Sequence, residues 1–341
     1  MNRLLILPVL LLTLLVGTPA FSADLQKGLT AAQSGDYATA LRELTPLAEQ
    51  GDALAQHNLG LMYRKGQGVP QDDKTAVKWY RLAAKQGLAA AQFNLGNMYA
   101  NGRGVPQDYK TAVKWYRLAA EQGYASAQIN LGLMYSKGRG FSQNKKTAVK
   151  WYRLAAEQGY ALAQHNLGLM YRKGQGVPQD DKTAVKWWKL AAKQGFARAQ
   201  YNLGWMYQKG QGVPQNNKTA LKWFRLAAEQ GFARAQYNLG WMYQKGQGVP
   251  QNNKTALKWF RLAAEQGYAD AQYNLGWMYG NGIGVPQDFI RAYMWWNLAA
   301  SSGYKNAVSP RDAVSKRMNS TDLSTAQNLA RECVAKKYKG C

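Results

Sequence analysis

Ala55-Gln56-His57-Asn58-Leu59-Gly60-Leu61-Met62-Tyr63 decides the reading of this chain, because nearly the same nonapeptide returns every 36 residues. The Asn-Leu-Gly triplet within it starts at Asn58, Asn94, Asn130, Asn166, Asn202, Asn238 and Asn274. A tryptophan keeps the same step, through Trp79, Trp115, Trp151, Trp187, Trp223, Trp259 and Trp295. Residues 196–231 recur unchanged at 232–267, and 53–79 recur as 161–187, so whole units have been copied within the gene. A fixed period of this length is the signature of a stacked repeat array. It overrides the two or three globular domains that 341 residues would otherwise suggest.

Within one unit, Ala55, Leu59 and Met62 fall at i, i+4 and i+7, which predicts a helix over about 53–65, here termed helix A. Gly66 supplies a left-handed stop, Gly68 and Pro70 turn the chain, and Asp72 is placed to cap a second helix. That second helix, B, carries an apolar stripe of Ala76, Tyr80, Ala83 and Ala84 flanked by Trp79, and Gly87 ends it. Small residues, Gly60 among them, allow close helix approach while the aromatics fill volume. Neither helix can bury its face alone, so the units must stack.

Both ends depart from the pattern as terminal caps do. Ala40, Leu47, Ala48 and Gly51 sit one period before Ala76, Ala83, Ala84 and Gly87, so residues 24–51 read as an N-terminal capping helical hairpin whose second helix is of type B. Seven units follow over 52–303. Residues 304–341 lose the period; there Pro310 suits a first helical turn, and Leu323, Ala326, Leu329, Ala330 and Cys333 suit an amphipathic capping helix. Ahead of the array, Arg3, an apolar run from Leu4 to Val16 and the small residues Gly17, Thr18, Ala20, Ser22 and Ala23 form a secretory signal peptide over 1–23. The run is too short to span a bilayer, and no later segment approaches 20 apolar residues, so the mature chain is expected to be exported, soluble and either periplasmic or secreted. The two cysteines, Cys333 and Cys341, both lie in the C-terminal tail, where an oxidising compartment favours a disulfide staple.

The stretches 55–63, Gly66-Gln67-Gly68-Val69-Pro70 and Trp79-Tyr80-Arg81-Leu82-Ala83-Ala84 resemble the Sel1-like (TPR-like) repeat family, over about residues 52–303. The third unit departs locally, with Phe141 and Ser142 in place of Val and Pro. The resemblance implies an all-α fold, an α/α superhelical solenoid of seven repeats, acting as an adaptor in assembly, signalling, envelope functions or bacterial contact with host cells. A cysteine-rich branch of the family has penicillin-binding or β-lactamase activity, with a Cys-x7-Cys disulfide in each repeat. Here that spacing occurs once, at Cys333 and Cys341, outside the repeats, so the analogy to a β-lactam hydrolase is weak.

The residues offer no alternative chemistry. The two histidines, His57 and His165, occupy one repeat position in copied units and read as exposed helix residues, without a His or carboxylate at metal-ligand spacing. Asp72, Asp108, Asp180 and Asp288 alternate with Asn144, Asn216 and Asn252 at the cap position, as capping requires and acid catalysis would not. The Gly-x-Gly turns lack the strand that a dinucleotide fingerprint needs. Neither a catalytic residue, a metal site nor a cofactor is indicated.

The seven copies can be compared column by column. On helix A the columns of Ala55, Gln56, Asn58, Leu59, Gly60, Met62 and Tyr63 never change, whereas those of Leu54, His57, Leu61 and Arg64 vary and share one helical stripe. In the last three units the stripe reads Arg198, Tyr201, Trp205, Gln208; Arg234, Tyr237, Trp241, Gln244; and Asp270, Tyr273, Trp277, Gly280. Helices A line the concave wall in folds of this type. Tyr201, Trp205, Tyr237, Trp241, Tyr273 and Trp277, with Arg198 and Arg234, therefore form a candidate surface for a protein or peptide partner, with packing between repeats as the competing explanation for the aromatics. The net charge of +25 and the tryptophans also suit a cell-wall glycan or an anionic envelope polymer. Export argues against nucleic acid. The basic stripe Lys74, Lys78, Arg81 and Lys85 on helix B reads as a solvated outer face.

Overall fold

The computed structural model describes residues 19–341, with side chains from Ala23 onward, so the leader predicted over 1–23 lies outside the described residues except where 19–23 open the first helix. Every regular element among the described residues is helical. The chain divides into two compact units, one ending at Gln143 and the other spanning Asn144–Cys341. The first holds α1 (Pro19–Ser34), α2 (Tyr37–Glu49), α3 (Ala53–Lys65), α4 (Asp73–Lys85), α5 (Ala89–Asn101), α6 (Tyr109–Glu121) and α7 (Ala125–Lys137). The second holds α8 (Lys145–Glu157), α9 (Ala161–Lys173), α10 (Asp181–Lys193), α11 (Ala197–Lys209), α12 (Asn217–Glu229), α13 (Ala233–Lys245), α14 (Asn253–Ala264), α15 (Ala269–Asn281), α16 (Phe289–Ser301), a 3-10 turn (Lys305–Ala307), α17 (Val308–Ser315) and α18 (Ser320–Ala335). Helix A of the first repeat runs over the residues that periodicity predicts.

The turns work as the sequence implies. Gly66 closes α3 in the left-handed region at φ 67°, and the Asp72 carboxylate accepts the amides of Lys74 and Thr75 at 2.9 and 3.2 Å to start α4. Asn216 caps α12 through the Thr219 amide at 2.8 Å, so Asp and Asn are interchangeable here because only an acceptor oxygen is needed. The second glycine of each turn has its own reason. At Gly104, φ is 69° and a side chain would overlap the backbone carbonyl of Asp73, one repeat earlier. In the third repeat Phe141, in place of Val, lays its ring on Tyr135 with centroids 4.0 Å apart.

Two further invariant columns explain the stacking. Gly204 of α11 faces the fully buried ring of Phe224 of α12, and the same pairing of glycine with ring recurs at Gly60 with Tyr80, Gly96 with Tyr116 and Gly240 with Phe260. Gln200, also buried, donates to the Ala192 carbonyl at 3.2 Å and accepts from Gln230 at 2.8 Å. One glutamine thus ties the preceding helix B to the following one, and the bond repeats at Gln56 with Ala48 and Gln86. In the last repeat the partner column holds Ser302, and the Gln272 carbonyl oxygen has no hydrogen-bond partner. Arg225 adds an outer link from α12 to the Tyr243 hydroxyl of α13 at 2.8 Å.

At the C-terminus Ala326, Ala330 and Cys333 of α18 are buried in one core with Trp295, Met294 and Leu298, and Leu323 and Leu329 pack at its edge. Cys333 and Cys341 form a disulfide with Cα atoms 5.6 Å apart, pinning the tail to α18. Lys74, Lys78, Arg81 and Lys85 of α4 are exposed.

Candidate binding groove along the A helices of the second unit

The predicted aromatic columns separate into two kinds. Tyr201 packs between Phe224 and Phe232, with centroids at 5.7 and 5.3 Å, and Tyr237 between Phe260 and Tyr268 at 5.7 and 5.4 Å. Tyr273 meets Tyr304 at 5.4 Å. These tyrosines wedge each helix A against the aromatic that opens the next, and burial raises the hydroxyl pKa of Tyr201 and Tyr237 above 10. The tryptophans stand one helical turn further along. Trp205 and Trp241 are half-buried and Trp277 is 38% exposed.

His57 and His165 share the tyrosine column, and their reading as exposed helix residues is overturned. His165 is only 6% exposed, its ring 5.2 Å from that of Phe196, and the half-buried His57 lies 5.8 Å from Tyr80. Burial, reinforced by Arg198 and Arg64 respectively, depresses each imidazole to about 4, so both are neutral near pH 7. The expected free stripe is therefore narrower than four columns. Gln244, in the Arg64 column, is also buried.

What remains of the stripe faces three contiguous hollows. The largest, about 590 Å³, has His165, Tyr201, Phe232 and Tyr268 in its wall and both Arg198 and Arg234 on its lining. A second, of about 340 Å³, shares Leu169, Tyr201 and Asn202 with it and adds Arg172, Trp188 and Trp205. The third, of about 240 Å³, runs on from Trp205 to Trp241. Arg172 is fixed in place: its guanidinium lies 5.2 Å above the Trp205 ring, donates to Gln211 at 2.7 Å and stands 3.6 Å from Asp181. Phe232 and Tyr268 escaped sequence reasoning, although their column after each helix B glycine (Leu88, Tyr124, Tyr160, Phe196, Phe232, Tyr268, Tyr304) is large and apolar or aromatic throughout. The hollows offer aromatic faces, amide groups and guanidiniums, which is the chemistry of recognition.

A family model, Sel1 repeat, matches seven consecutive segments: residues 53–88, 89–124, 125–160, 161–196, 197–232, 233–268 and 269–304. The chain belongs to the Sel1 repeat family. A solved Sel1 repeat protein from Oxalobacter formigenes is 38% identical, with 84% of each chain covered and a TM-score of 0.69. A protective antigen of uropathogenic Escherichia coli strains, c5321, described as displaying an SLR fold, is 32% identical over 93% of this chain and 84% of its own, with a TM-score of 0.48. No curated protein matches the chain. Sel1 repeats generally mediate protein–protein contacts and are generally a non-catalytic scaffold. Among the described residues no helix is long and apolar enough to cross a membrane.

Proposed function

We propose that this Sel1 repeat protein is an exported interaction scaffold, whose second unit holds a protein or peptide partner in the groove along α9, α11, α13 and α15. The observation that carries this reading is the tryptophan row. Trp205, Trp241 and Trp277 occupy equivalent places in three consecutive repeats; Trp205 and Trp241 are half-buried and line the hollows, and Trp277 is exposed. A partly covered indole is an anchor for a partner's apolar side chains. Export to a periplasm or beyond is supported by the signal-like leader and by the Cys333–Cys341 disulfide, which suits an oxidising compartment. Replacing Trp205, Trp241 and Trp277 together by Ala, with folding checked by circular dichroism, should abolish the partners recovered by crosslinking mass spectrometry on intact cells. Unchanged recovery by a folded triple variant refutes the proposal.

A further inference from the structure

The groove carries two guanidiniums that the chain leaves unneutralised. Arg198 and Arg234 stand in the first turns of α11 and α13, both exposed, and among the described residues neither has an ion-pair or hydrogen-bond partner. Arg172, by contrast, is committed to Asp181 and Gln211. The column of Arg198 and Arg234 reads Leu54, Ala90, Ser126, Leu162 and Asp270 in the other repeats, so arginine appears only in these two neighbouring copies. Leu54 and Leu162 are exposed too, at 43% and 42%, which means packing does not choose the residue at this position. Both arginines line the same 590 Å³ hollow, walled by Phe232 and Tyr268. The buried His165 on that wall has an Nδ1 with no hydrogen-bond partner and adds no charge.

We propose that this hollow binds an extended acidic peptide segment, with two carboxylates three residues apart seated on Arg198 and Arg234; the proposal rests on the docking-groove reading above. A guanidinium fork grips a carboxylate through two parallel hydrogen bonds. α11 and α13 both pack against α12 and stand one repeat apart, and the proposal sets their arginines about one interaxial distance, about 8–10 Å, from each other. In a polyproline-type strand, with three residues per turn and about 3.1 Å per residue, positions i and i+3 share a side at about 9 Å. A β-strand offers same-side positions at about 7 or 13 Å instead. The segment's intervening side chains would rest on Phe232 and Tyr268. One repeat further on the column turns acidic at Asp270, so the run of positive sites is two residues long, which suits a short acidic motif better than a polyanion.

The test pans a random dodecapeptide phage library against the purified full chain and measures the enriched peptides by fluorescence anisotropy. Enriched sequences should carry Asp or Glu at i and i+3, and Arg198→Ala or Arg234→Ala should each weaken binding about tenfold, with Arg→Lys at the same positions recovering only part. Enriched peptides without the acidic pair, or indifferent to both substitutions, overturn this proposal and leave the docking groove standing. Failure to enrich any peptide, with heparin retained by wild type and lost by the double Arg→Ala variant, overturns both and assigns the arginines to a polyanion.

Discussion

Gly204→Ala puts the stacking argument at risk with a single methyl group. A Cβ at this position would lie 2.8 Å from Cδ1 and 2.9 Å from Cε1 of Phe224. Carbon pairs prefer about 3.5–4.0 Å, so the ring or the helix must give way by more than half an ångström. The ring has little room to retreat, because it is fully buried and Tyr201 lies against it at 5.7 Å. Overpacking of a tight core costs about 1–3 kcal/mol, and a contact under 3.0 Å with a fully buried ring falls in the upper part of that range, about 2–3 kcal/mol. Alanine returns up to about 1 kcal/mol of helix propensity over glycine, which leaves a net loss of about 1–2 kcal/mol. Urea unfolding followed by circular dichroism reads that loss. Because each repeat touches only its neighbours, hydrogen exchange should place the loosening in α11 and α12 and the helices beside them. The decisive control is Phe224→Leu: in that background Gly204→Ala should cost nothing or stabilise, since the obstructing ring is gone. A Gly204→Ala protein as stable as wild type, or one that loses the same amount with and without Phe224→Leu, would show that the invariant glycine is not there to admit the ring.

Acid should act in two separate windows. His57 and His165 titrate near 4 in the folded chain and near 6.5 when unfolded, so the unfolded state takes up protons that the folded state refuses. Their contribution, on the order of 3 kcal/mol for the deeply buried His165, is complete above about pH 6.5, declines as pH falls and is gone by about pH 4. His57→Phe with His165→Phe, borrowing Phe93 from the same column, should flatten the urea midpoint across that window; an unaltered slope refutes the assignment. The cap carboxylates Asp72, Asp108 and Asp180, held below 3.8 chiefly by the hydroxyls of Thr75, Thr111 and Thr183, should still give a decline at lower pH. Reduction of Cys333–Cys341 opens a loop eight residues in sequence separation and should cost about 2 kcal/mol. Amide protection should fall in α18 and persist in the repeats, and equal loss throughout would deny the disulfide a local role.

The repeat helices, their N-caps and the turns between them were readable from sequence because local chemistry determines them: an acceptor oxygen before each helix B, a glycine after each helix A, and a 36-residue period linking them. The interior of the array was harder. Variation in the His57 column suggested freedom, yet His57, Phe93, Ile129, His165, Tyr201, Tyr237 and Tyr273 are all large and none is a Lys, Arg, Asp or Glu. They fill one slot between successive repeats with different groups of similar bulk. The Leu54 column behaves otherwise, passing from Leu to Ala, Ser, Arg and Asp without regard to size or charge. Indifference to volume marks an open position, and volume kept through changes of identity marks a packed one. The contact between Arg172 and Trp205 could not be read in the same way, since it joins variable columns of two repeats and depends on how far α11 advances over α9.

Unit copying bears directly on the groove. Residues 196–231 and 232–267 are identical, so the duplication set two equal arginines, two equal tyrosines and two equal tryptophans at one repeat spacing. The packed tyrosines came with their partners, Phe224 with Tyr201 and Phe260 with Tyr237, and so the duplication preserved the stack. The exposed arginines came with no ion-pair or hydrogen-bond partner among the described residues. A duplicated pair of open sites at fixed separation favours a ligand that repeats its own chemistry at that separation, because the second contact is then intramolecular and adds affinity without a second loss of translational freedom. On that argument the spacing between ligand carboxylates matters as much as their number. Moving the second acidic residue by one position should cost nearly as much as removing it.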